Sequence, residues 1–195
     1  RFVAYAADTG RILWALPTSV GIIAPPVTYE VDGEQYVVVM AGYVGAGALT
    51  SGDPRTMATG RFMNDGYVLA FKLGGKATMP RIAEKNLSIP EPPQLAATAA
   101  QLENGKYAYM RTCMVCHGAL VVSGGVIPDL RMLSAEKHSI FKEIVYDGVI
   151  HGAGMPRLGD LLTEQDVRDI HAYIVERSNQ DRAAAAATSA AAPSR

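Results

Sequence analysis

Hydrophobic positions change their period along the 195-residue chain. Up to residue 73, apolar residues come in runs of strand length: FVAYAA, RILWAL, PVTYEV, QYVVVMA and YVLAFKL. Their β-branched and aromatic content suits a pleated, half-buried surface and predicts five strands. Turn residues punctuate them. Asp8-Thr9-Gly10 parts the first two runs, and Asp32-Gly33 stands between PVTYEV and EQYVVVM. A two-residue hairpin turn needs positive φ, which Gly adopts freely, so Asp32-Gly33 predicts a tight hairpin. GYVGAGALTSGDP from Gly42 reads as a long glycine-rich loop.

The period is lost over residues 74–93, where Pro80, Pro90, Pro92 and Pro93 predict an extended, semi-rigid linker. A helical period takes over at residue 94 and lasts to 178. LAATAAQLENGKYAYMRT forms one helix, and HSIFKEIVYDG forms a second that stops at Gly148. Thr163-Glu164-Gln165-Asp166 has the form of a capping box, opening a helix with Val167, Ile170 and Ile174 on one face. The alanine-rich tail, 179–195, is low in complexity and predicts disorder. The fold class expected is therefore all-β over 1–73, a linker, and an all-α domain over 94–178.

Composition narrows the classes. Hydrophobic residues make up 49% and charged residues 19%, which supports a packed core. A net charge of −1 gives no basic field, so no nucleic-acid partner is expected. No apolar run reaches the ~18 residues of a membrane-spanning helix. The chain opens at Arg1 directly into a strand, with no visible signal peptide, and reads as one whose front has been lost. Compartment is left open by that observation.

The two cysteines, Cys113 and Cys116, are three positions apart and followed by His117. A C-x-x-C-H run does one particular job. Two thiols one helical turn apart add to the two vinyl groups of haem, and the adjacent imidazole ligates the iron. The alternatives are a redox dithiol or half a zinc site. A zinc site needs further Cys or His ligands at suitable spacing, and a thioredoxin-like dithiol needs a βαβ context; neither is evident.

Residues 95–178 resemble class I cytochrome c. Gly105 and Tyr109 precede Cys113 by eight and four positions. The resemblance implies that they let the first helix cross the last closely, with Ile170 and Tyr173 as partners; a glycine lacks the Cβ that would hold two backbones apart. Alternatively, Gly105 is only a weak helix position. The resemblance also implies that the Pro128 carbonyl accepts the His117 ring N–H, fixing the imidazole and raising its basicity. It further implies a distal methionine ligand. Met155, in His151-Gly152-Ala153-Gly154-Met155-Pro156, falls 38 positions after His117, between two predicted helices. Pro156 favours an extended backbone at 155. Met132 and His151 are the rivals, while His138 and His171 read as surface or half-buried helix residues. His/Met ligation fills both axial positions, so such a haem passes single electrons and leaves bond chemistry to other groups.

The front region resembles the end of the eight-bladed propeller of quinohaemoprotein alcohol dehydrogenases dependent on pyrroloquinoline quinone (PQQ). Ala4 to Trp14, with Gly10 between, matches that family's tryptophan-docking motif, in which an indole packs on a neighbouring blade. PTSVGIIAPPVTYEVDGEQYVVVMAGYVGAG and GYVLAFKLGG are similar to its closing blades. The resemblance implies oxidation of an alcohol in the bacterial periplasm, with electrons leaving reduced PQQ through haem c. The implied acceptor is a small cytochrome, a copper protein or a quinone-linked complex. PQQ contacts, Ca2+ ligands and the catalytic Asp would lie upstream, in the remaining propeller, so no catalytic residue is assigned here. The loop 42–47 either lines the cofactor face or simply connects blades. Two other functions fit the residues: a stand-alone cytochrome carrier with an accessory β-domain, and a β-rich module fused to a haem sensor.

Overall fold

A computed structural model describes residues 1–42, 58–63, 66–123 and 127–191. Most of the glycine-rich loop lies outside these residues. The chain divides into two compact units, the first over Arg1–Leu87 and the second beginning at Ser88.

In the first unit all five predicted strands form. Strands β1 (Phe2–Tyr5) and β2 (Ile12–Leu16) pair antiparallel, with Ala4 opposite Trp14. Strands β3 (Val27–Val31), β4 (Glu34–Ala41) and β5 (Tyr67–Lys72) form an antiparallel sheet in that order. Val31 pairs with Glu34, so only Asp32 and Gly33 make the turn; their φ of 53° and 75° give the double-positive geometry expected of a tight hairpin. Trp14 meets Phe2 and Phe71 edge-on, at centroid distances of 6.3 and 5.3 Å, so aromatic rings join the two sheets.

The linker departs from expectation. Ile82 is buried with Val20 and Ala41, and residues 83–85 pair with a helical turn, α1 (Ala58–Arg61), and its exit. Met63 N donates to Ala83 O, Lys85 N to Arg61 O, and Lys85 Nζ to Thr59 O. None of residues 81–89 is proline, so their backbone N–H groups remain free to pair, and the first unit runs to Leu87, inside the expected linker 74–93.

The second unit is helical. Helix α2 (Ala99–Thr112) opens at Thr98, whose side chain caps Gln101 N while Gln101 reaches back to Thr98 N. A single turn, α3 (Met114–His117), follows. Helix α4 (Ala135–Ser139) runs into a wider turn over Glu143–Asp147 that ends at left-handed Gly148. The last helix, α5 (Glu164–Ala191), opens on the predicted box: Asp166 N donates to Thr163 Oγ1 and Thr163 N to Asp166 Oδ2. Val167, Ile170 and Ile174 are all buried, as their spacing predicts. Helix α5 continues through 179–191, where the low-complexity sequence predicts disorder. Alanine has the highest intrinsic helix propensity, and a helix already nucleated by packing extends at little cost.

Helices α2 and α5 cross at Gly105. A Cβ there would lie 2.0 Å from Asp169 O, so the backbones meet only because that atom is missing. Asn104 Nδ2 and Gln165 Nε2 each donate to the buried Asp169 carboxylate at 2.7 Å. One turn on, Tyr109 and Tyr173 pack with ring centroids 5.6 Å apart.

Candidate haem-attachment site

Helix α2 delivers the cysteine turn directly. Cys113 caps the end of α2 and the start of α3, and its carbonyl accepts from His117 N at 2.9 Å. Met114–His117 fold into one tight turn, which sets the two thiols, three positions apart, side by side on a helical surface. The two cysteines form no disulfide with each other; Cys113 is buried and Cys116 exposed. Burial pushes the Cys113 thiol up, with Thr112 Oγ1 3.3 Å from Sγ as a partly opposing contact.

His117 is buried at 7% exposure, and its Nδ1 lies 2.8 Å from Pro128 O. A carbonyl only accepts, so Nδ1 carries the hydrogen and Nε2 keeps its lone pair. Burial holds the ring below the ordinary histidine range, opposed by the Pro128 bond and the Asp129 charge. The ring is therefore neutral at neutral pH, the state a metal ligand requires.

Gly118, which the motif reading passed over, and the hydroxyl of Tyr109, which it gave no role, complete this turn. Gly118 ends α3 at φ 80°, ψ 160°, a conformation essentially reserved for glycine. Its carbonyl accepts from the Tyr109 hydroxyl at 2.8 Å, tying the exit of the C-x-x-C-H turn back to α2. A glycine directly after a helical turn is a recognisable stop signal. The hydroxyl had no comparable signal beyond the choice of Tyr over Phe.

Met155 follows left-handed Gly154, at φ 96°, which closes the short turn His151–Ala153. It is half-buried and packs on the helical core that includes Cys113, Tyr109 and Val121. Its rivals have other surroundings. His151 is exposed and donates from Nδ1 to Gly148 O at 3.2 Å. Met132 lies in the short turn Leu130–Met132. His138 and His171 bond to each other at 2.8 Å, on α4 and α5.

The donor set fits a covalently held haem: two thiols on one turn, an imidazole fixed through its far nitrogen, and a thioether on the same core. Among the described residues no three His, Cys, Asp or Glu side chains gather as a metal site.

A helical unit of this build, following a small sheet region, is a cytochrome c domain, and such a domain implies haem c. A family model described as cytochrome C oxidase, cbb3-type, subunit III matches residues 100–174. Quinohemoprotein alcohol dehydrogenase ADH-IIG of Pseudomonas putida is 43% identical over 92% of this chain and 24% of its own length. The dehydrogenase subunit of alcohol dehydrogenase (quinone) from Gluconobacter oxydans is 37% identical over 92% of this chain and 24% of its own. The solved structure of the Pseudomonas putida enzyme superposes with a TM-score of 0.78 at 42% identity, covering 91% of this chain and 25% of that one. The chain corresponds in sequence and structure to the C-terminal portion of the quinohaemoprotein alcohol dehydrogenases. It spans about a quarter of the length of the relatives it matches.

Proposed function

We propose that this chain is the electron-transfer portion of a PQQ-dependent alcohol dehydrogenase of the bacterial periplasm. Cys113 and Cys116 would hold haem c through thioether bonds, and His117 and Met155 would ligate its iron. Haem c, when bound, supplies reversible one-electron exchange. The residues around it do the rest. Pro128 O holds the His117 N–H, which fixes the tautomer and ring angle and raises ligand basicity. Tyr109 and Gly118 hold the turn that presents both thiols. Met155 brings a neutral, soft donor that favours the reduced state. In the whole enzyme, electrons would come from reduced PQQ, beside Ca2+ on the remaining propeller. They would pass on to a small cytochrome, a copper protein or a quinone-linked complex.

The observation that carries this reading is the 2.8 Å approach of His117 Nδ1 to Pro128 O within a C-x-x-C-H turn. The test is to produce the chain with a haem-ligating maturation system. The expected product keeps its haem through denaturation and shows a Soret band. Cys113→Ala or Cys116→Ala should weaken or abolish attachment. Met155→Ala should change the ligand spectrum, lower the reduction potential and open the ferrous iron to carbon monoxide. Absence of covalent haem, or a Met155→Ala spectrum identical to the parent's, would falsify the assignment at the link concerned.

A further inference from the structure

The carbonyl that holds His117 belongs to a turn with an unusual anchor. Directly after Pro128, Asp129 folds over the short turn Leu130–Met132 and accepts from Arg131 N at 3.0 Å. The Arg131 guanidinium then grips the same carboxylate with two bonds, Nε to Oδ1 at 3.0 Å and Nη2 to Oδ2 at 2.7 Å. Its remaining arm reaches across to α5, where Nη1 donates to Asp181 Oδ2 at 2.9 Å. Arg177, one turn back on α5, donates to the other oxygen of Asp181 at 2.7 Å.

This chain of bonds is well shielded. The Arg131 and Asp129 side chains are 11% and 13% exposed, and that of Asp181 is 22%. Burial works against the Arg131 charge, but the two carboxylates outweigh it and hold the guanidinium above its ordinary value. An arrangement of this kind depends on Arg. A planar fork can bind one carboxylate with two bonds and still reach a second, whereas an ammonium is a point charge on a flexible stem. Asp181 and Arg177 both lie beyond residue 174, where the cytochrome family model ends. The extended part of α5 thus has a specific contact with the turn next to the haem-ligating histidine.

We propose that Arg131, braced by Asp181 and Arg177, is a positioning residue for His117: it fixes the Pro128–Asp129 turn and so holds the carbonyl in place under the imidazole N–H. The proposal rests on the reading of His117 as an iron ligand. In this role the bonds of Arg131 are to Asp129 and Asp181. It acts through the backbone, by limiting how far the acceptor moves.

The test uses the haem-loaded protein with three variants. Arg131→Lys keeps the charge and loses the fork. Asp181→Asn breaks only the brace to α5. Asp160→Asn removes a carboxylate from an exposed ion pair with Arg157 and serves as the charge control. The readouts are hydrogen exchange of the His117 Nδ1 proton by NMR and the reduction potential. Arg131→Lys and Asp181→Asn should each speed exchange relative to the parent, by about tenfold if the effect matches that of outer partners of a ligating histidine on metal affinity. Both should raise the potential, because a weaker N–H···O bond makes the imidazole a poorer donor to ferric iron. Asp160→Asn should leave exchange unchanged. Covalent haem with parental exchange in either brace variant overturns the proposal alone. Equal acceleration in all three variants also overturns it. A parent protein that attaches no haem, or whose His117 is not a ligand, removes the underlying reading and this inference with it. Should Arg131→Lys fail to fold, Asp181→Asn decides by itself.

Discussion

Two tyrosines that pack against each other have opposite polar fates. Tyr109 donates its hydroxyl to Gly118 O at 2.8 Å, whereas the Tyr173 hydroxyl is buried with no partner among the described residues. Removing a bonded buried hydroxyl strands its acceptor, while removing an unbonded one relieves a desolvation cost; each effect is about 1–2 kcal/mol. Tyr109→Phe should therefore lower the urea midpoint of the helical unit and Tyr173→Phe should leave it equal or raise it. A destabilised Tyr173→Phe protein would show that the hydroxyl has a partner after all. Histidine contributes a second effect. His171 is pushed down to about 4 by burial and by the neighbouring His138, which burial lowers as well. Their 2.8 Å bond requires one ring to donate and the other to accept, and Phe141 stacks on His171 at 4.3 Å. Unfolded histidine takes up protons below about 6.5, while folded His171 resists until about 4. The unfolded chain thus binds more protons in that window, and stability falls as pH drops through it. His171→Asn should flatten this dependence in denaturation midpoints measured across the window; a slope unchanged by the substitution counts against the pair as its source.

Elements here are set by their ends and their crossings. Thr98 and Thr163 each cap a helix through the residue three positions on, and both helices begin at those signals. The crossing of α2 and α5 depends on one missing atom. Gly105→Ala would set a Cβ 2.0 Å from Asp169 O and 2.4 Å from Asp169 C, both backbone atoms that cannot rotate away. The helices must then separate, at a cost at the upper end of the ~1–3 kcal/mol typical of overpacking. Alanine's better helix propensity recovers less than ~1 kcal/mol of that. Chemical denaturation should show a clear loss, and a neutral or stabilised variant would mean the helices do not meet at this point. The extension of α5 shows the limit of reading elements from composition. An alanine-rich stretch looks the same in a disordered tail and in a helix; here Asp181, held by Arg177 one turn back, bonds Arg131 of a neighbouring turn and ties the extension down.

At the scale of the molecule the two units differ in how completely they bury their apolar residues. The helical core gathers fourteen buried residues, from Ala108 to Ile174. The core of the β unit joins Val20, Ala41 and Ile82, while Val27, Met40 and Val68 are 60–67% exposed. Strand faces of this kind need a neighbouring layer. That fits a chain spanning a quarter of its relatives' length, in which the resemblance sets the catalytic Asp and Ca2+ ligands upstream. The 195 residues, supplied with PQQ, Ca2+ and an artificial acceptor, should therefore oxidise no alcohol, and measurable PQQ-dependent turnover would refute this. Among the described residues no helix is long and apolar enough to cross a membrane.

The five strands, the Asp32-Gly33 hairpin, the capped start of α5 and the C-x-x-C-H turn were all legible in the order of residues, because each depends on neighbours within a few positions. Local chemistry of that sort is written where it acts. The pairing of residues 83–85 with 61–63, the His138–His171 bond and the Arg131–Asp181 brace were not legible. Their partners lie about 20 to 50 positions apart in the chain. Such pairs meet only once the helices and strands have packed, since packing brings distant side chains within bonding range and excludes the water that would otherwise compete for them.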